Sequence, residues 1–132
     1  MAVTVQLVPK TVRTLILNLT VPGEPVPWKR PGKDRRSGRS FTPTPMAAQM
    51  NLIGLLARGR CQTPTPDPVI VDMDFFLGNN RRADLSNFLK LAEDALNGIA
   101  WDDDSQIIEA VIHKHVDKTF PRTEIRVWKV VG

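Results

Sequence analysis

Asp84, Ser86, Lys90, Glu93 and Asn97 are a spaced set of polar and charged residues, and a run of three acids, Asp102, Asp103 and Asp104, follows them. The steps from Ser86 to Asn97 are four, three and four residues, so on a helix these side chains form one polar stripe, with Asp84 at the helix start. Carboxylates from two segments are hard oxygen donors of the kind Mg²⁺ takes alongside water and phosphate oxygens. Such an ion polarises a phosphoryl group and lowers the pKa of a bound water. A lysine beside it offsets charge that builds up in the transition state. Other readings stay open. Asp84 has the type and place of a helix N-cap. The acids at 102–104 suit a solvated turn, Asp102 above all. Lys90 is also placed to pair with Glu93 or Asp94.

A second charged region has the opposite sign. Residues 28–39 read WKRPGKDRRSGR, with six basic residues against one acid, and the whole chain carries a formal net charge of +4. This excess favours polyanions such as nucleic acid. Lys29, Arg30, Lys33, Arg35, Arg36 and Arg39 are candidate phosphate contacts, and Arg81 and Arg82 precede Asp84 directly.

The order of these motifs resembles the signature of the RusA family of Holliday-junction resolvases. That signature is a basic run, an Asp-Leu-Asp-Asn-(two residues)-Lys helix start, an Asp-Ala-Leu turn and an Asp-Asp-x-Gln-Val strand start. This chain has Asp84-Leu85-Ser86-Asn87-Phe88-Leu89-Lys90, then Asp94-Ala95-Leu96-Asn97-Gly98, then Asp103-Asp104-Ser105-Gln106-Ile107. The segment PGEPVPWKRP at 22–31 resembles the family's N-terminal part, and the likeness runs loosely over 14–130.

The resemblance implies a homodimer that binds four-way DNA junctions and nicks two strands of like polarity symmetrically, using Mg²⁺ with Mn²⁺ as a substitute. Carried over by position, Asp84 and Asp104 are metal-binding carboxylates, Asp103 is a neighbouring ligand, and Lys90 is the catalytic lysine. Ser86 departs from the pattern, which has a carboxylate there. Three explanations follow. The ion has fewer protein ligands and more water, or Asp72 or Asp74 on the preceding strand stands in, or the chain is an impaired junction-binding protein, natural or altered.

The elements that position these residues are readable from periodicity. Residues 14–21 (TLILNLTV) alternate as a strand. Residues 22–40 contain four prolines and three glycines and are expected to be a DNA-contacting loop. Thr44-Pro45 starts a helix carrying Met46, Met50, Ile53 and Ala57 inward and ending at Gly59. Val69–Leu77 is a central strand. Asp84 or Ser86 caps a second helix that buries Leu85, Phe88, Leu89, Ala92, Ala95 and Leu96 and stops at Gly98. Residues 107–115 and 123–131 read as two strands, with 117–122 short enough for a hairpin. The order β-α-β-α-β-β predicts one α+β domain, a small mixed sheet with two main helices. Residues 1–13 are expected to be a flexible N-terminus.

Trp101 and Trp128 are expected in the core, whereas Trp28 suits either packing or stacking on a base. His113 and His115 alternate on one strand face without a third ligand in sequence and read as structural or surface residues. Cys61 reads as an inert thiol, and a single cysteine excludes an internal disulfide. No apolar run approaches the roughly 20 residues of a bilayer span. No leader is seen, and no membrane partner is expected. The cytoplasm of a bacterial or phage-infected cell is the expected location.

Overall fold

The computed structural model describes residues 12–30, 32–41 and 44–131. Strand β1 (Val12–Pro22) begins two residues earlier than its alternation predicts, so Val12 and Arg13 belong to the sheet and not to a flexible tail. The remainder of that expected tail, residues 1–11, lies outside the described residues. The segment 22–40 is more than a loop. Gly32–Lys33 (β2) and Ser40–Phe41 (β3) pair antiparallel as a small hairpin. Helix α1 (Thr44–Arg58), strand β4 (Val69–Leu77), helix α2 (Leu85–Leu96), a short 3₁₀ turn at Asp104–Gln106 and strands β5 (Ile107–Val116) and β6 (Arg122–Val131) follow.

The architecture is α+β, with two helices against a mixed four-stranded sheet of order β1-β6-β4-β5. β6 pairs antiparallel with both β1 and β4, while β5 pairs parallel with β4. The expected β5–β6 hairpin is therefore not formed. Residues 117–121 carry the chain over the end of β4 to its other side. Strands are about 4.8 Å apart, so this crossing covers roughly 10 Å, within reach of five residues. It is held by the Asp117 backbone N–H donating to the Leu77 carbonyl (2.7 Å) and by the Gly23 N–H donating to the Pro121 carbonyl (3.0 Å).

One face of the sheet is covered. Val69, Val71, Met73, Phe75 and Leu77 of β4 and Ile125 and Val127 of β6 are buried, and they meet Phe88, Leu91, Ala92, Ala95 and Leu96 of α2. Phe75 and Phe88 stack with ring centroids 5.3 Å apart. Truncating Phe88 to Ala would cost about 3–5 kcal/mol by the usual measure for a buried aromatic. Leu85 and Leu89, expected in the buried set, are half-buried at the margin of the helix, and Leu91 takes a full core place. Trp101 is fully buried and donates from its indole to the Asn97 side chain (2.6 Å). Gly98, at φ 82°, supplies the left-handed residue that stops α2.

Among the described residues no helix covers the other face of the sheet. Here Trp128 corrects its expected core place. Thr123, Ile125 and Val127 point inward, so residue 128 points outward, and Arg13 lies over its ring at 5.0 Å. Among the described residues no helix is long and apolar enough to cross a membrane.

Candidate active site and nucleic-acid interface

The basic segment is built around its single acid. Asp34 accepts from the backbone N–H of Arg36 (2.9 Å) and from the Ser37 hydroxyl (3.2 Å), and its carbonyl accepts from Gly38 (2.8 Å). Asp34 thus closes the hairpin turn, and Gly38 fits it with φ 72°. Lys33, Arg35, Arg36 and Arg39 are left exposed around that turn. Lys29 and Arg30 lead into it, also exposed.

The hairpin is tied to α2 by the segment before it. The Trp28 backbone N–H donates to the Asn87 carbonyl (2.9 Å), and the Lys90 ammonium sits 4.6 Å from the Trp28 ring centroid. Trp28 therefore seats Lys90. The Lys29 N–H points at the Met46 sulfur of α1 (3.1 Å). Glu24 accepts from the Gly78 N–H (3.0 Å) and forms an ion pair with Arg81, whose guanidinium also donates to the Pro25 carbonyl (3.1 Å). Arg81 is thus engaged within the chain, and Arg82 is exposed.

Asp84 occupies the N-cap position of α2 with extended backbone (φ −75°, ψ 119°), but its side chain makes no capping hydrogen bond. The carboxylate is exposed and uncommitted to the helix, contrary to a purely capping role. Ser86 is exposed in the first turn. Asp72 and Asp74 are not beside it. They lie on the open face of β4, away from α2, and both pair with Arg126; His115 Nε2 also lies 2.7 Å from Asp74. Burial pushes the Asp74 carboxyl up, but the hydrogen bonds from His115 and Arg126 outweigh it and hold it below the usual carboxylate value.

The acidic run has a different setting. Asp103 caps the 3₁₀ turn, accepting from the Ser105 N–H (3.0 Å), while the Gln106 side chain accepts from the N–H groups of Asp102 and Asp103 (2.8 Å each). The Ser105 donors hold the Asp103 carboxyl below its usual value. Asp102 and Asp104 are exposed. Sequence reasoning placed Glu93 in the polar stripe but gave it no role. It is half-buried, and burial first, then the neighbouring charges of Asp104 and Asp94, push its carboxyl up against the opposing pull of Lys90. Its i+3 spacing from Lys90 was the available signal.

The two carboxylate groups lie far apart in one chain. The Gln106 amide donates to the Thr65 and Asp67 carbonyls (2.8 Å each), ahead of β4, whereas Lys114 Nζ donates to the Ala83 carbonyl (3.1 Å), beyond the other end of β4. Eight strand residues separate 106 from 114, about 26 Å at roughly 3.3 Å per residue. α2 must run antiparallel to the two parallel strands it joins, and its 12 residues span about 18 Å. Asp84 and Asp104 are consequently at opposite ends of the fold, and the expectation that they meet at one ion within a chain fails. Among the described residues no group of three or more His, Cys, Asp or Glu side chains could hold a metal ion.

The other expected outliers are placed plainly. Burial pushes the Cys61 thiol up, in keeping with an inert role. His113 and His115 lie along the open face, with His113 Nδ1 3.7 Å from Asp74.

An exposed basic hairpin is thus anchored beside an acid and a lysine at one helix start, a positively charged surface of the kind that attracts nucleic-acid phosphates. The endodeoxyribonuclease RusA family matches over residues 22–128, which takes in the hairpin, α2 and the acidic run. The chain belongs to the RusA endodeoxyribonuclease family, a family of nucleases that resolve Holliday junctions in DNA recombination and repair. No curated protein matches the chain.

Proposed function

We propose that this chain is a homodimeric, Mg²⁺-dependent endonuclease that recognises four-way DNA junctions and cuts them by paired symmetric nicks. One observation carries the reading. The exposed hairpin of Lys33, Arg35, Arg36 and Arg39 is fastened through Trp28 to the same helix that presents Asp84 and Lys90. Phosphates gathered by the hairpin are therefore delivered beside an acid and an ammonium. Lys29, Arg30 and Arg82 extend the same positive surface. Lys90 offsets charge developing on the phosphate under attack.

The metal requirement is met differently from a one-chain site. Carboxylate oxygens suit Mg²⁺ or Mn²⁺, but Asp84 and Asp104 do not fit one shared ion within a chain. The separation supports a site divided between subunits, with Asp84 and Lys90 from one and Asp104 of the partner subunit completing it. Asp103, committed to its turn, orients the acidic run. The dimer is then a condition of cleavage as well as a match to the two-fold symmetry of the junction.

A second reading is a junction-binding protein impaired in cleavage, and Ser86 favours it. The hydroxyl is a weaker ligand than a carboxylate, and Asp72 and Asp74 are not placed to replace it. The test is a labelled mobile four-way junction incubated with protein and Mg²⁺ or Mn²⁺, with products resolved on a denaturing gel. Paired nicks in strands of like polarity are expected. Binding without nicks contradicts the enzyme, and cleavage that appears only in Ser86→Asp assigns the defect to that position.

A further inference from the structure

We propose that the cavity under the loop 60–67 receives one nucleotide of the DNA strand, its base against an apolar wall and its phosphate at a basic rim. The inference rests on the nucleic-acid reading above and names a second place where the strand is held, at the end of the fold opposite the hairpin. The cavity measures about 380 Å³. That falls inside the range of roughly 300–1,000 Å³ usual for small-ligand sites. Ile16 of β1, Pro64 and Ala100 give it apolar walls, and Arg60, Thr63 and Lys129 bring polar groups to it.

Neither cation of the cavity has an ion-pair partner among the described residues. Lys129 shares the parity of the buried Ile125 and Val127, so it lies on the helix-covered side of β6, and it is half-buried. A half-buried ammonium without a counter-charge favours an anion beside it. Arg60 is exposed, and one of its guanidinium N–H groups donates to the Asn18 carbonyl (3.2 Å). The donors left over suit a phosphate. Asp67 is the one acid that lines the cavity among the described residues, and it is committed to the loop, accepting from the Thr65 hydroxyl (3.3 Å).

The cavity is preformed and joined to the acidic run. Pro64, Pro66 and Pro68 stiffen its loop. The Thr65 N–H donates to the Ala100 carbonyl (3.1 Å), and the Val130 N–H donates to the Pro68 carbonyl (2.8 Å). Gln106 links the two features. Its amide nitrogen donates to the Thr65 and Asp67 carbonyls of the cavity wall, and its amide oxygen accepts from the N–H groups of Asp102 and Asp103. Val69 pairs with Lys129 on one side and with Ile107 on the other. Lys129 and the start of the strand that follows Asp104 are therefore about 10 Å apart, two strand spacings. A nucleotide seated in the cavity lies beside the acids, so the chain holds a base close to the phosphate it acts on. Arg60 and Lys129 supply what the acids lack, positive charge that draws a strand to them.

Cys61 reports occupancy, because it lines the cavity and is the single cysteine of the chain. Its alkylation by a small maleimide at alkaline pH is timed by mass spectrometry in the full-length protein without added metal. The probes are a short single-stranded oligonucleotide, a deoxynucleoside 5′-monophosphate, the matching nucleoside and inorganic phosphate. The oligonucleotide and the monophosphate are expected to slow the labelling, and the nucleoside to need a concentration about ten-fold higher, the scale of one hydrogen bond to a charged group. Lys129→Met keeps the stem, removes the charge and is expected to lose protection by the same factor. If it fails to fold by circular dichroism, Arg60→Gln, at an exposed position, replaces it with the same expectation. Labelling that no probe slows overturns the inference. So does equal protection by the nucleoside or by inorganic phosphate, protection by the monophosphate but not by the oligonucleotide, or undiminished protection in the folded variant. Cleavage of a four-way junction with Mg²⁺ is scored on the same preparations. Protection beside an uncut junction keeps the cavity and removes the enzyme; cutting without protection does the reverse.

Discussion

The two ends of β5 are opposites. At its C-terminal end the chain gathers an exposed basic hairpin, Arg82, Asp84 and a lysine seated on Trp28. At its N-terminal end it gathers Asp102, Asp103 and Asp104, with Glu93 close enough for Asp104 to push its carboxyl up. The first end is equipped to hold phosphates and the second to attract cations. Neither holds both acids that the family pattern joins. The difference teaches that one α/β crossover, with a helix about 18 Å long, can keep two halves of a site apart while sequence brings them within 20 residues.

The comparison breaks hardest at the acids. Asp84→Asn and Asp104→Asn each remove the charge a hard cation needs, and each is expected to lower junction cleavage by about a thousand-fold or more. Junction binding in a gel-shift assay should hold or tighten, because a negative charge near phosphate has gone. Loss of cleavage from one substitution only would mean the two ends are not parts of one site.

A smaller effect is expected at the hairpin. Replacing Arg35, Arg36 and Arg39 with Ala should weaken junction binding and make its salt dependence shallower. At roughly 0.9 per phosphate contact, the slope of log affinity against log salt should fall by about 2.7. Thermal stability should not change, since these side chains are exposed. An unchanged slope would remove the hairpin from the interface.

The open face gives the smallest effect and sharpens the contrast, because its charges are already paired. Asp74→Asn takes a carboxylate from Arg126 and His115 and should cost about 2 kcal/mol of stability at neutral pH, the scale of a hydrogen bond to a charged group. The carboxyl of Asp74 titrates lower in the folded chain than in the unfolded one. Its contribution is therefore complete above the unfolded value and fades as pH falls through the folded one. Unfolding curves of the two proteins should converge in acid. A gap that stays constant with pH would mean the ionised carboxylate is not what stabilises this face.

Much of this was legible in sequence, for specific reasons. The alternation in Val69–Leu77 and the 3.6-residue period of α2 gave the central strand and the helix that presents Asp84 and Lys90. Strand neighbours were not legible. Alternation tells which face a residue takes but not which strand lies beside it, so a short link between β5 and β6 suggested a hairpin where β4 intervenes. The hairpin within 22–40 was hidden because the Asp34 side chain, and no periodic pattern, makes its turn. Trp128 was readable in principle, since Ile125 and Val127 fix the parity of β6. The separation of Asp84 from Asp104 was not: spacing in sequence gave the length of α2 but not that its ends serve different places. The fold supplies that, and the proposed second chain would resolve it.

The most direct test of the divided site is complementation. Asp84→Asn and Asp104→Asn proteins, each inactive alone, are mixed under conditions that exchange subunits and assayed on a labelled four-way junction. If each site draws Asp84 from one subunit and Asp104 from the other, a mixed dimer holds one intact site and one doubly altered site, and nicking should return in the mixture. If both acids serve the same site from one chain, every site in every dimer lacks an acid. A mixture as inactive as its parents, with subunit exchange verified, would contradict the account.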